Sequence, residues 1–198
     1  IMPYAAFLAA AEDARYDIEL LGQRFGVGFE TTCHRLSTLQ RPGAHGVPFF
    51  FIRVDRAGNI SKRQSATDFH FSRFGGTCPL WNVYEAFAQP DHILTQVASM
   101  PDGRTYLWIA RSVSRGQGGY RAPRKTFAVA LGCDIRHASR LVYADGLDLG
   151  NPAAATPIGA GCKICERRAC PQRAFPPIGQ PLYVDQNRSA FAPYTTDM

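Results

Sequence analysis

The sequence lacks any apolar run long enough to cross a bilayer; Pro, Gly or Arg breaks each aliphatic stretch within about 8 residues. It lacks a basic N-terminal stretch followed by a signal-peptide core. It has no internal repeat and no low-complexity tract. Charged residues are only 19% of the chain, yet hydrophobic residues are 45% and aromatics 12%, which is a globular balance. A purely membrane-embedded role, a collagen-like rod and a coiled coil therefore fall away, and a cytoplasmic location is expected. Catalytic signatures are also missing. There is no HExxH, no HxxEH and no serine nucleophile elbow, and no two of the five histidines stand four apart. Non-catalytic function is the expectation, and a cryptic enzyme the alternative.

What is present begins with length. A chain of 198 residues can bury one real core or two small ones. It starts on Ile1 rather than on a methionine, so it reads as part of something longer. The net charge is +6. Residues 104–140 hold Arg104, Arg111, Arg115, Arg121, Arg124, Lys125, Arg136 and Arg140 against Asp134 alone. That stretch suits an anionic partner or a plain solvated face.

Pattern divides the chain. Pro3 opens a helix of small apolar residues, Ile18–Phe25 forms a second ending at Gly26, and Phe29, Cys33, Leu36 and Leu39 keep helical spacing in a third. Three helices suggest a helix–turn–helix, but the last has no run of Arg, Lys, Asn or Gln with which to read DNA. After Arg41-Pro42-Gly43 the chain turns β-like. Residues 48–54 and 59–64 pair around Asp55–Gly58, 92–100 and 104–113 pair around Pro101-Asp102-Gly103, and 126–133 is a further strand. Short helices are expected at 79–88 and 134–141. From Leu149 onward 18 glycines and 14 prolines in the whole chain make themselves felt, and regular structure fades. The fold class is α+β: a helical lead (1–42), then residues 43–198 as an antiparallel sheet of about five strands with short helices and an irregular, metal-stapled tail.

Cysteine is the sharpest signal. Of six, three form Cys162-x2-Cys165-x4-Cys170-Pro171. Two thiolates two residues apart can face one centre from a single turn, and the third arrives a turn later. A fourth ligand must come from elsewhere: Cys133 first, then Cys78, then His137. One knuckle followed by Cys-Pro is unlike a paired zinc ribbon and favours a [4Fe–4S] cluster, with Zn as the alternative; the layout also resembles WhiB-type iron–sulfur proteins. A second candidate region joins Lys62, Arg63, His70, Phe71, Arg73 and Trp81 to Arg115 and Arg124. Aromatics, cations and the pair Gly75-Gly76 suit an adenine ring with phosphates, or single-stranded nucleic acid.

Residues 162–177, 76–87 and 127–135, with the lead Met2–Phe7 and Asp17–Val27, resemble short-chain fatty-acyl transcriptional regulators of the mycobacterial propionate-catabolism type. The first 42 residues are similar to the end of an ImmA/IrrE-like segment, without its zinc-protease motif. The resemblance implies an effector-sensing domain for propionate, methylcitrate or glyoxylate metabolism. It implies acyl-CoA or coenzyme A as effector, and promoter DNA bound by an N-terminal helix–turn–helix outside this sequence. A homo-oligomer is expected of the full protein. It also implies a [4Fe–4S] cluster on Cys162, Cys165 and Cys170, with Cys133 as the fourth ligand. The competing expectation is a zinc-stabilised nucleic-acid-binding module using the 104–140 stretch.

Overall fold

A computed structural model describes residues 2–66, 77–116, 119–168, 170–179 and 187. Three helices lead. α1 (Tyr4–Asp13) follows Pro3, whose missing N–H costs nothing at a helix start. α2 (Ile18–Phe25) is capped by Asp17, whose carboxylate accepts from the Glu19 and Leu20 amides, and it ends on left-handed Gly26. α3 (Phe29–Leu36) follows at once. A two-residue hairpin, β1 (Gln40–Arg41) and β2 (Ala44–His45), turns about Pro42-Gly43.

The body is one sheet. Its strands are β3 (Phe50–Asp55), β4 (Ile60–Ser65), β5 (Leu94–Ser99), β6 (Thr105–Arg115), β7 (Lys125–Asp134) and β8 (Thr156–Pro157), in the order β4-β3-β7-β6-β5-β8. The first five form an antiparallel meander-like layer, and only the two-residue β8 pairs parallel, on β5. α4 (Asn82–Ala88) lies between β4 and β5 in sequence. The expected five-stranded α+β layer is what forms, with β8 and the β1–β2 hairpin added. Two-residue strands leave no alternation to read, so pattern did not reveal them. The segment expected as a helix at 134–141 is a 3-10 helix, Ile135–Arg140.

Both faces of the sheet are covered, which is why β3 and β7 read as near-continuous apolar runs. Phe51, Leu107, Ile109, Val129, Leu131 and Cys133 point toward α1–α3 and pack with Phe7, Leu21 and Leu36. Phe50, Ile52, Trp108, Ala128 and Ala130 point the other way, toward Trp81, Val83 and Ile158. Gly132 sits in that second face because nothing larger fits: a Cβ there would lie 2.3 Å from the Phe50 ring and 2.7 Å from Trp108. The first core draws on residues from either side of position 42, so the helical lead and the sheet share one interior. Tyr4 donates to the Ala44 carbonyl, the Tyr16 hydroxyl accepts from Val47 N–H, and Arg15 grips Asp145. No helix among the described residues is long and apolar enough to cross a membrane.

Candidate functional site

The site is built on the second face. β8 holds the chain against the end of β5, so the stretch from Ile158 onward runs past the loop that carries Cys78. That loop is fixed by Gln96 of β5, which donates to the Leu80 carbonyl (2.8 Å) and accepts from the Asn82 amide (3.1 Å). The Thr77 and Tyr84 hydroxyls bond each other and tie the loop to α4. Burial pushes the Cys78 thiol up; amides of Gly159 and Leu80 oppose this, and neighbouring Cys162 and Cys170 add to it. Cys78 thus lies among the sulfurs of the C-terminal run.

Cys162 opens a short 3-10 helix, Cys162–Ile164, and its sulfur accepts the Ala174 amide at 3.4 Å. Gly159 touches two sulfurs at once. Its amide bonds Cys78, and a Cβ on it would stand 2.5 Å from Cys165 Sγ. Cys78 and Cys165 thus meet at a position where the backbone carries no side chain. All six cysteines are free thiols.

Arg173 closes the knot. It is 2% exposed and donates to the carbonyls of Cys162 (3.1 Å), Cys165 (3.3 Å), Arg167 and, at 3.5 Å, Phe175. Its Nε has no partner, and no carboxylate among the described residues lies within ion-pair distance of it. Arg167 reaches back to the carbonyls of Ile158 and Ser99 and moors the run to β5.

Cys133, expected first as fourth ligand, is elsewhere. It alternates with Gly132 along β7, so its sulfur enters the helix-side core while Cys78 sits across the sheet. Burial pushes its thiol up to about 12, with Asp134 adding to the rise and Arg140 opposing it. A thiol in that setting is an inert core residue. His137 lies beyond it on the 3-10 helix that follows β7, away from the sulfurs. The signal that separates Cys78 from Cys133 was in the sequence: strand alternation puts Cys133 on the same face as Leu131 and Val129.

The donor set of Cys78, Cys162, Cys165 and Cys170 fits a thiolate-ligated centre on three observations: free thiols, N–H groups aimed at sulfur, and a buried cation with no anionic partner among the described residues. No three His, Cys, Asp or Glu side chains among the described residues converge closely enough to grip a single metal ion. A cubane asks for less convergence, since each thiolate binds its own iron.

The second candidate set does not assemble. His70, Phe71 and Arg73 lie outside the described residues. Trp81 is core, its ring 4.4 Å from that of Trp108. Arg63 is exposed on β4, on the face opposite Lys62, and Arg124 is exposed before β7. Lys62 and Arg115 share the helix-side face, Lys62 over the Phe51 ring and Arg115 on Glu30 at 2.9 Å. Five of the eight cations of 104–140 are taken by carboxylates: Arg104 by Asp102, Arg111 by Glu19 and Asp91, Arg115 by Glu30, Arg136 by Asp134 and Arg140 by Glu12. A continuous basic face is absent from the described residues of that stretch. Sequence reasoning missed a groove of about 620 Å³ between α4 and β5, lined by Leu80, Trp81, Asn82, Leu94, Gln96 and Val97 among others. Of the second candidate set only Trp81 lines it, and the rest of the lining was not marked because strand and helix meet there only in space.

Comparison with known proteins bears on the fold and the family. Residues 1–37 match the IrrE N-terminal-like domain. The chain is 60% identical over 196 residues to the HTH-type transcriptional regulator PrpR of Mycobacterium tuberculosis, covering 99% of this chain and 40% of that protein. It is 62% identical to RamB, an HTH-type transcriptional regulator of the same species, over 98% of this chain and 41% of RamB. It is 54% identical to a propionyl-CoA carboxylase regulator of Cereibacter sphaeroides, over 98% of this chain and 42% of the relative. These relatives are named as regulators, not enzymes, and this chain spans about two fifths of their length. A solved Mycobacterium tuberculosis transcriptional regulator superposes with a TM-score of 0.91 at 61% identity, over 98% of this chain and 59% of that one. Residues 38–194, which include the sheet and all four gathered cysteines, match the C-terminal domain of the short-chain fatty acyl coenzyme A regulators, and the chain belongs to that family.

Proposed function

We propose that this chain is the effector-sensing part of a transcription regulator of short-chain fatty acid metabolism, of the propionate/methylcitrate or glyoxylate kind. In this reading it binds acyl-CoA and holds a [4Fe–4S] cluster on Cys78, Cys162, Cys165 and Cys170. The observation that carries the reading is the gathering of Cys78 with the C-terminal cysteine run around Gly159. The cluster supplies a rigid staple and, if it changes oxidation state, a signal; the chain's own residues orient it through N–H groups and through the moorings of Arg167 and Arg173. Promoter DNA is bound by the helix–turn–helix of the whole protein, which acts as a homo-oligomer.

The groove between α4 and β5 is the acyl site in this proposal. Its apolar wall suits a thin acyl-pantetheine arm, and polar Asn82 and Gln96 suit amide groups. Its residues Pro79 and Leu80 directly follow Cys78, so filling the groove bears on the sulfur-carrying loop. The lining has no Lys or Arg, so the phosphates are held by cations outside it. Coupling requires that acyl-CoA bind the two arrangements of that loop unequally.

Protein purified under nitrogen should be brown and carry iron and acid-labile sulfide; colourless protein loaded with one zinc would replace the cluster by the alternative metal. Cys78→Ser and Cys165→Ser should each abolish iron loading, whereas Cys133→Ala should leave it intact. Retention of iron in Cys78→Ser with loss in Cys133→Ala would return the fourth position to Cys133. In calorimetric titration with propionyl-CoA, Leu94→Trp should weaken binding at least about tenfold, a loss of roughly 1.4 kcal/mol. Unchanged affinity would move the acyl site out of the groove.

A further inference from the structure

Arg173 is the most deeply buried cation of the described residues, and no carboxylate among those residues lies within ion-pair distance of it. Every described ion pair elsewhere leaves its arginine at least 22% exposed, yet Arg173 is 2% exposed, and among the described residues it bonds carbonyl oxygens alone. Carbonyl dipoles solvate a guanidinium but do not neutralise it, and a buried charge without a counter-charge is strongly disfavoured. Glu166, the acid of the same run, is exposed and not paired with it. Two of the carbonyls that Arg173 holds belong to Cys162 and Cys165, so the cation is bonded to the backbone of two of the four cysteines. Thiolates bound to iron or zinc leave a centre of net negative charge. That is the missing partner.

We infer that Arg173 is the internal counter-ion of the thiolate centre, fixing how firmly the centre is held and setting its reduction potential. The inference rests on the cluster reading above. Arginine suits the position better than lysine because its fork reaches both carbonyls while presenting a delocalised charge. A nearby fixed cation favours the more negative state of the centre, which is the reduced one. Burial keeps the interaction out of reach of salt, whereas a surface cation is screened over about 8 Å at physiological ionic strength. Arg168, exposed in the same run, provides the comparison.

The test uses Arg173→Gln, Arg173→Lys and Arg168→Gln in the full chain, prepared under nitrogen. Iron and sulfide are counted, iron loss to a chelator is timed, and the midpoint potential is measured by mediated titration with dithionite at low and high salt. Arg173→Gln should lower the midpoint potential and speed iron loss by roughly tenfold or more. Arg173→Lys and Arg168→Gln should stay near the parent, and the Arg173→Gln shift should persist at high salt. A potential in Arg173→Gln equal to that of the parent overturns the counter-ion role. Should Arg173→Gln fail to hold the centre at all, Arg173→Lys decides: iron retained by the lysine variant supports a charge role, and iron lost from both shows that the carbonyl bonds alone matter. A parent chain with no iron or sulfide overturns the cluster reading itself, and the counter-ion role falls with it.

Discussion

Gly132 shows how much one absent carbon can decide. It lies across from Phe50 and Trp108 in the ladder, and the two rings meet over it at 4.7 Å between centroids. Gly132→Ala forces an overpacked contact and should destabilise the chain by about 1–3 kcal/mol; an unchanged denaturation midpoint would mean that the rings shift freely. His34 is a second residue with a defined consequence. It packs edge-on to Phe51, faces Lys62 of β4, bonds Gln64, and shares its helix with Glu30. Burial lowers its pKa, Lys62 lowers it further, and Glu30 and Gln64 pull it up. Because the folded value lies below the ordinary 6.5, the unfolded chain takes the proton first. Stability is therefore full above that value and falls as the pH drops through it toward the folded value. His34→Gln should flatten the loss that sets in as the pH falls below 6.5 in denaturant titrations; an unaltered slope assigns the acid sensitivity to other groups. Cys133 and Cys78 carry the lesson for ligand choice at this scale. Spacing along the chain ranked the nearer cysteine first, but the pleat of β7 sends it to the face of the sheet opposite Cys78, and the path of the chain through β8 brings the C-terminal run round to Cys78.

Among the elements, the long strands and leading helices were legible because their signals were local. Asp17 and Gly26 bracket α2, and Pro101-Asp102-Gly103 sets the turn between β5 and β6. α3 is pinned to the sheet by Glu30, which is 8% exposed and accepts from Arg53 and Arg115, each at 2.9 Å. These contacts join residues 23 and 85 positions apart, and no periodicity announces them. Glu30→Gln should cost about 2 kcal/mol, less than the roughly 3–5 of a fully buried pair, because the Arg115 side chain remains 65% exposed. Chemical denaturation gives the number; an effect near zero would leave α3 held by Cys33 and Leu36 alone. The same pairings explain why a row of arginines read as an anion face: composition counts cations, while the fold supplies acids from α1, α2 and α3.

At the scale of the whole molecule, the helix-side core is large and ordinary, whereas the stretch beyond Ala155 has little of its own to hold it. Ile158 is buried there, but Ile164, Phe175 and Ile178 are exposed. Order in that stretch comes from Arg167, Arg173 and the sulfurs. On the cluster proposal, treatment with a chelator should therefore lower the melting temperature and open sites beyond residue 155 to limited proteolysis while 2–54 stays protected. Equal cleavage with and without metal would show that the arginine bonds suffice. The class of fold and the cysteine run could be read from sequence, but the groove could not, because it exists only where α4 crosses β5.

Phe50 and Phe51 are neighbours in the chain, fully buried, and turned to opposite sides of the sheet. The compartment holding Cys78 and the compartment holding the leading helices are thus separated by a single peptide unit. Whatever displaces a ring on one side must be absorbed by that partition or transmitted through it. A tightly packed interior has little slack for absorption, so the two ends of this molecule share a wall thin enough to hear through.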